Sequence, residues 1–377
     1  MERLCELHAA GVSIWLDTLS RHLIAGGEFG SLLDDACVSG ATSNPTIFAV
    51  AIRGADGYDQ QLQALLEAGP GDAQTIFFDL ALDDVRNAAD ILRDVYDQSG
   101  GRDGFVSFEC TPDLADDTDA TIEQAQMLWD RLERPNVMIK VPATAAGLGA
   151  IEELTARGVN VNITLLFARS RYDEVIEAYL AGLERRVAAG NTVDTVSSVA
   201  SFFVSRVDAK TDEQLPQTSP LRGRVAIANA KLAYQLYEHR FADERWNALA
   251  ARGARPQRPL WASTGTKNPA YSDVMYVEEL IGPDVVNTMP DKTMRAFADH
   301  GHNRRTVDTG INTAQEVLAM LQTAGVDLDA VTTVLEREGV ASFCDSYHQL
   351  LDCITEKAAG HGVRLDPPPG IPERPET

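Results

Sequence analysis

The chain has 377 residues, of which 44% are hydrophobic and 24% are charged, and this composition is typical of a globular protein with a large core. A formal net charge of −23 argues against a nucleic-acid-binding protein, because nucleic-acid phosphates repel an acidic surface. No apolar run reaches the roughly 18 residues of a membrane span, and the N-terminal segment lacks the basic start and apolar core of a signal peptide. We therefore expect a cytoplasmic protein without nucleic-acid or membrane partners.

The five cysteines are odd in number and widely spaced, and no C-x-x-C motif occurs. This pattern is typical of reduced thiols and argues against a disulfide framework or a zinc site. His300 and His302 have no third ligand at a useful spacing, so we interpret them as solvated loop residues and expect no metal.

Eight short β-like runs recur along the chain, and helical patterns separate them. The runs are Ser13–Asp17, Gly40–Asn44, Phe105–Cys110, Val137–Pro142, Val159–Phe167, Ser197–Val204, Pro259–Thr264 and Val285–Pro290. One helical pattern, "DATIEQAQMLWDRLER", places Ala125, Leu128 and Leu132 on a single face together with Ile122 and Trp129. Eight strands that alternate with helices favour a (β/α)8 TIM barrel, and a doubly wound sheet is the alternative.

We expect residues 1–365 to form a single barrel domain with a helical insertion near residues 53–74. Residues 211–224 have the composition of a loop or linker. The proline-rich tail, residues 366–377, is predicted to be disordered.

A lone lysine lies in the apolar stretch "NVMIKVP", residues 136–142. Alternation places Val137, Ile139 and Val141 on one face of this strand, and Met138 and Lys140 on the other. In a barrel Lys140 would point inward near the C-terminal end of the strand, where such barrels place their catalytic residues. The alternative is a lysine at a strand end that reaches water or pairs with a carboxylate.

Other predicted strands also end in polar groups. Asn162 and Thr164 share one face of "NVNIT", Asp17 ends the first strand, Asn44 the second and Glu109 nearly ends the third. A buried lysine loses its proton readily and attacks carbonyls to form a Schiff base. Two carboxylates could then move protons during carbon–carbon cleavage and water loss. These residues together indicate lysine-based aldol chemistry.

Five segments, "SIWLDTLSR", "ATSNPTIF", "SFECTPDLADDTDATI", "MIKVPATAAGLGAIEELTARGVNVNITLLFA" and "LWASTGTKNP", resemble the transaldolase family, in its longer bacterial and plant-like branch. The resemblance runs from about Gly11 to Ala359. It implies a (β/α)8 barrel of the class I aldolase type and no cofactor. It also implies transfer of a dihydroxyacetone unit between sugar phosphates in the non-oxidative pentose phosphate pathway.

The same resemblance assigns roles to individual residues. Lys140 matches the Schiff-base lysine, Asp17 the proton-transferring aspartate and Glu109 the glutamate. Residues that match positions for substrate hydroxyls, a catalytic water or the substrate phosphate are Asn44, Asn162, Thr164, Ser201, Phe203 and Arg206. Many relatives carry an arginine after the seventh strand, whereas this chain has Lys267, which lacks the bidentate fork of a guanidinium.

Two other functions stay open at this point. A fructose-6-phosphate aldolase would share the fold and the lysine but release free dihydroxyacetone. A catalytically silent barrel would bind sugar phosphates without reaction, although binding alone does not require Lys140, Asp17 and Glu109 together. The expected partners are sugar-phosphate substrates, and the assembly is expected to be a monomer or a homodimer.

Overall fold

Eight parallel strands close into a barrel in the computed structural model, which describes residues 1–54, 56–69 and 71–366. The strands are β1 Val12–Leu16, β2 Val38–Thr42, β3 Phe105–Glu109, β4 Val137–Pro142, β5 Val161–Leu166, β6 Ser198–Phe203, β7 Arg258–Ala262 and β8 Val285–Met289. Each strand pairs with the next, and β1 pairs with β8, so the sheet has no edge. The predicted (β/α)8 barrel is confirmed, and closure excludes the doubly wound alternative.

Helices follow the strands and cover the outside of the barrel. In the described residues they are α1 Glu2–Ala9, α2 Arg21–Ala25, α3 Glu28–Ala36, α4 Pro45–Gly54, α5 Asp59–Ala68, α6 Ala73–Ile91, α7 Arg93–Gln98, α8 Thr118–Leu132, α9 Ala145–Arg157, α10 Arg169–Ala188, α11 Ser205–Gln214, α12 Val225–Arg240, α13 Glu244–Ala250, α14 Met275–Glu278, α15 Asp291–His300, α16 Ile311–Thr323 and α17 Leu328–Gly360. Two 3₁₀ helices span Asp56–Tyr58 and Pro112–Leu114. The residues of the expected insertion, 53–74, include the first of these and α5.

Local sequence explains where several of these helices begin. The Asp117 side chain accepts the amide of Ala120 at the start of α8, and Thr144 accepts the amide of Gly147 at the start of α9. Such caps satisfy backbone donors that have no partner inside the helix. The apolar face predicted for α8 is buried at Ala125, Leu128 and Leu132.

Every residue of the eight strands is buried, as expected for parallel strands covered by helices outside and by packed side chains inside. Polar groups also fill the N-terminal end of the barrel. The buried Arg258 guanidinium donates to the Ser13 hydroxyl, and Ser13 donates to the Asp103 carboxylate, which also accepts the Trp15 indole N–H at 2.9 Å. This network closes the end of the barrel opposite to the predicted site.

Three expectations need correction. Cys5 and Cys37 form a disulfide that joins α1 to the residue before β2, so not all five cysteines are thiols. Residues 211–214 of the predicted loop belong to α11, where Thr211 and Asp212 are buried. Asp366, the first residue of the predicted tail, forms a β-bridge with Asp72, and residues 367–377 lie outside the described residues.

Among the described residues, no single helix has the length and apolar composition needed to cross a membrane. The consecutive helices α16 and α17 meet the length and composition criteria only as a pair, and the two helices are bent by 90° relative to each other.

Candidate active site

A cavity of about 420 Å³ opens at the C-terminal ends of the strands, where TIM barrels place their active sites. Eight of the ten predicted site residues line it, namely Asp17, Asn44, Lys140, Thr164, Ser201, Phe203, Arg206 and Lys267. The other two, Glu109 and Asn162, lie beside Lys140 in the strand register, directly behind the residues that line the cavity. The strand ends singled out from the sequence therefore meet at one cavity.

Lys140 is buried on β4, beside Glu109 of β3 and Asn162 of β5 in the strand register. Its Nζ donates a hydrogen bond to the Ser43 carbonyl at 3.1 Å and lies 3.6 Å from Oε2 of Glu109. The Phe343 ring of α17 is centred 5.9 Å from the same Nζ. The amine is thus held by two contacts at the base of a cavity that a small substrate can enter.

Glu109 is buried, and burial raises the pKa of its carboxyl to about 7, although the positive charge of Lys140 opposes this shift. Its Oε2 is buried without a hydrogen-bond partner in the described part of the chain. A carboxyl group with a pKa near neutrality can both give and take a proton at physiological pH.

Asp17 follows β1 directly, and its backbone N–H donates to the Met289 carbonyl at 2.9 Å. Its Oδ1 accepts from the Thr42 hydroxyl at 3.2 Å, and Thr42 lies 2.8 Å from the Thr288 hydroxyl. Loss of hydration raises the pKa of Asp17, while Lys140, Thr42 and Arg206 act in the opposite direction. The second carboxylate is therefore hydrogen-bonded at the cavity wall, whereas Glu109 lies behind it.

Asn162 is fully buried and bridges two strands that are not neighbours. Its amide donates to the Ser107 hydroxyl at 2.9 Å, and its oxygen accepts from the Ser201 hydroxyl at 2.7 Å. Because β4 separates β3 from β5, the bond to Ser107 crosses the inside of the barrel. Asn162 thus acts on the cavity through Ser201 instead of lining it.

Two further polar residues, Asn44 and Thr164, face the cavity and differ in how many of their side-chain atoms already have hydrogen-bond partners. The side-chain oxygen of Asn44 accepts the Ile47 amide at 3.0 Å, so it caps α4, and its amide nitrogen is the group that can serve a ligand. The hydroxyl of Thr164 is buried and has no hydrogen-bond partner among the described residues. Such an unpaired hydroxyl is costly in an apolar protein interior and is typical of a site that holds a polar ligand or water.

Three cations, Arg206, Lys267 and Lys292, line the outer part of the cavity. None of them is among the lysines and arginines that form ion pairs in the part of the chain that the structure describes. Burial lowers the pKa of Arg206 and of Lys267, and the charge of Arg206 lowers that of Lys267 further. The guanidinium of Arg206 also lies over the Phe203 ring, 5.2 Å from its centre. An acidic protein thus keeps a positive patch suited to an anionic group.

Sequence reasoning missed several residues that line the cavity, including Thr42, Ser263, Thr288, Lys292 and Phe343. Lys292 follows β8 by three residues, so its position after a strand was a usable signal. Phe343 lies within the 33-residue helix α17, and nothing in the local sequence indicates that this helix reaches the cavity.

The described residues contain no group of three or more histidine, cysteine, aspartate or glutamate side chains that could hold a metal ion. His300 lies 2.8 Å from Asp273, and His302 lies 3.1 Å from Glu278, both at the surface.

The model of the transaldolase/fructose-6-phosphate aldolase family matches residues 14–354. A protein of Frankia alni named transaldolase is 48% identical over 366 residues, which cover 96% of this chain and 98% of its own length. A transaldolase of Saccharopolyspora erythraea is 50% identical and covers 93% of this chain and 96% of its own length. Transaldolase 1 of Streptomyces avermitilis is 49% identical, with coverage of 96% and 97%.

Proposed function

The chain belongs to the transaldolase/fructose-6-phosphate aldolase family, and from that membership we propose how its cavity carries out the reaction. The activity is that of a transaldolase, which exchanges sedoheptulose 7-phosphate and glyceraldehyde 3-phosphate with erythrose 4-phosphate and fructose 6-phosphate. The chain's relatives, at 48–50% identity, are named for this transfer, and this favours it over a fructose-6-phosphate aldolase or a silent binding barrel.

Lys140 forms the covalent link to the donor sugar. Its amine attacks the ketone carbon of the donor, and the carbinolamine loses water to give an iminium ion. The observation that supports this role is the position of Nζ, buried at the base of the cavity and 3.6 Å from a carboxyl whose pKa is about 7. That carboxyl, Glu109, gives a proton to the departing water and takes it back when the iminium is hydrolysed.

Asp17 takes the proton of the donor's C4 hydroxyl as the C3–C4 bond breaks. The electrons of that bond pass to the iminium, which leaves an enamine on Lys140 and releases an aldehyde phosphate. The enamine carbon then attacks the acceptor aldehyde, and Asp17 returns the proton to the new hydroxyl. The unpaired Thr164 hydroxyl is suited to hold the water used in hydrolysis, and Asn44 and Ser201 are suited to hold sugar hydroxyls.

The phosphate of each substrate binds to Arg206 and Lys267, with Lys292 nearby. These three cations lie at the outer end of the cavity and form no ion pairs with carboxylates of the described residues. This supports the assignment, because a phosphate binds best to cations whose charge is not already neutralised by a carboxylate. We place the enzyme in the cytoplasm, where phosphorylated sugars are retained by their charge.

Borohydride trapping tests the function. After incubation with fructose 6-phosphate and borohydride, a three-carbon unit should be found on one peptide, the one that contains Lys140. The Lys140→Ala variant should give no adduct and essentially no turnover. An adduct on Lys267 or Lys292 instead would contradict the assignment, and turnover without an acceptor aldehyde would identify an aldolase.

A further inference from the structure

Lys267 belongs to a short turn that is closed by its own hydrogen bonds, residues 266–272, which we call the Lys267 turn. The Thr266 hydroxyl donates to the Ser272 carbonyl at 2.8 Å, and the Tyr271 amide donates to the Asn268 carbonyl at 3.1 Å. Because these bonds close the turn across Lys267, a displacement of Tyr271 also displaces Lys267.

The Lys267 turn is attached to α11, the helix that carries Arg206 in its first turn. The Tyr271 hydroxyl donates to Oδ2 of the buried Asp212 at 2.6 Å, and Oδ1 of Asp212 accepts the Gly223 amide at 3.2 Å. The Tyr271 ring packs on Gly223, whose φ of 70° is left-handed, and a Cβ there would lie 2.7 Å from the ring. The glycine thus leaves the space that the tyrosine ring requires.

A second contact joins α11 to α14, the short helix that follows the Lys267 turn. The Tyr276 hydroxyl of α14 donates to the buried Asp208 carboxylate at 2.9 Å, and Asp208 also accepts the Ala226 amide at 2.7 Å. Two aspartates of one helix therefore hold two tyrosines of the segment between β7 and β8. Helix α11 carries Arg206 and the segment between β7 and β8 carries Lys267, the two cations assigned to the substrate phosphate.

Arg206 and Lys267 carry like charges and repel each other; burial is the main cause of the lowered pKa of Lys267, and the charge of Arg206 lowers it further. Without an anchor, this repulsion would favour a turn that carries Lys267 away from the cavity before a phosphate arrives. An anchored turn keeps both cations in place in the free enzyme, so less of the binding free energy is lost in ordering them.

We propose that Tyr271 and Asp212 are positioning residues that hold Lys267 beside Arg206 and thereby set the affinity for the phosphate of the substrate. Neither residue touches the reacting atoms. The inference rests on the proposed function, because it concerns the same phosphate-binding cations.

The Tyr271→Phe variant tests it, since this change removes one hydroxyl and leaves the ring on Gly223. We expect KM for fructose 6-phosphate to rise about two- to tenfold, the range for one lost hydrogen bond, with kcat nearly unchanged. The inhibition constant of inorganic phosphate should rise by the same factor, while kcat/KM for unphosphorylated fructose should stay the same. Asp212→Asn should produce the same pattern, and the double variant should be no worse than the stronger single one.

Tyr179→Phe is the matched control, because it also removes one hydroxyl bond, from a buried tyrosine to the Arg255 carbonyl, outside both elements. It should leave KM for fructose 6-phosphate and phosphate inhibition unchanged. Equal losses for fructose and fructose 6-phosphate in Tyr271→Phe would show a merely structural role and overturn the inference, as would unchanged phosphate inhibition. The Arg206→Ala variant distinguishes a failure of this inference from a failure of the proposed function. If Arg206→Ala weakens phosphate binding and Tyr271→Phe does not, the proposed function stands and this inference is wrong.

Discussion

The two carboxylates beside Lys140 differ in their surroundings, and this difference separates their chemistry. Glu109 is enclosed and has an oxygen without a partner among the described residues, so its neutral form is favoured. Asp17 lines the open cavity and accepts a hydrogen bond from Thr42. Carboxyl groups whose environments differ in this way commonly take different roles in acid–base catalysis.

Asp17→Asn should stall the reaction after imine formation and before cleavage. The asparagine keeps an oxygen for the Thr42 hydroxyl but cannot accept the proton of the C4 hydroxyl. Borohydride should then trap the intact six-carbon donor on Lys140, and turnover should fall about 100- to 10,000-fold, the usual contribution of a general base. Mass spectrometry of the trapped Lys140 peptide measures this.

Glu109→Gln is the companion measurement, and it should instead lower the amount of trapped adduct at early times. If both variants change the pH dependence of trapping in the same way and neither accumulates the six-carbon adduct, the division of roles is incorrect. The Schiff-base lysine would be unaffected by that result.

Glu109 should also make stability depend on pH. Its folded-state pKa of about 7 lies above the ordinary value of 4.5, so the native state binds more protons than the unfolded state between these values. The free energy of unfolding therefore falls as pH rises through this window, by about 3 kcal/mol in total. Urea denaturation of the wild type and of Glu109→Gln at pH 5 and pH 8 measures it. Between pH 5 and pH 8 the free energy of unfolding should fall less for Glu109→Gln than for the wild type. An equal fall in both proteins would contradict the raised pKa of Glu109.

At the scale of elements, α9 fixes the end of the strand that carries Lys140. Gly147 lies in the first turn of α9, and a Cβ there would be 2.0 Å from the Pro142 carbonyl oxygen at the end of β4. Thr144 caps the same turn and donates to the Ala115 carbonyl. The close approach of helix and strand therefore requires glycine at this position.

Gly147→Ala should lower the free energy of unfolding by about 1–3 kcal/mol, the usual cost of overpacking, because a backbone atom has to move. Gly30→Ala is the matched control, since Gly30 is also the third residue of its helix, α3, and a Cβ there meets nothing within 4 Å. That change should stabilise the protein by about 0.5–1 kcal/mol through helix propensity. Urea denaturation of both variants gives the comparison, and a stabilising Gly147→Ala would show that α9 can move freely.

Most strands were predictable because they are short apolar runs bounded by polar residues. The predicted bounds of β4 agree with the structure, whereas β1 ends at Leu16, one residue earlier than predicted, because Asp17 turns into the cavity. Residues 211–214 were predicted as a loop because their composition is polar. The burial of Asp212 could not be predicted from that composition, because its carboxylate is paired with the hydroxyl of Tyr271, a residue distant in sequence. Contacts between distant segments leave no local pattern, and for that reason Phe343 and the Cys5–Cys37 bond were missed.

On the scale of the whole molecule, the disulfide ties the first helix to the start of β2 across a separation of 32 residues. A loop of this length should contribute about 3–4 kcal/mol by restricting the unfolded chain. Thermal unfolding with and without dithiothreitol measures this contribution, and we expect a lower Tm in the reductant. Cys5→Ser should show the reduced Tm under both conditions. A reductant effect that persists in this variant would mean that another pair of cysteines is responsible.

Closure of β1 on β8 has a consequence for the order in which the enzyme is made. Asp17 leaves the ribosome more than 300 residues before Phe343, which corresponds to roughly 20–60 s of synthesis at ordinary elongation rates. Until β8 emerges, β1 has only one partner strand, and the cavity around Lys140 has no complete wall. We therefore expect Lys140 to form Schiff bases efficiently only after the barrel has closed and α17 has added Phe343 to the cavity.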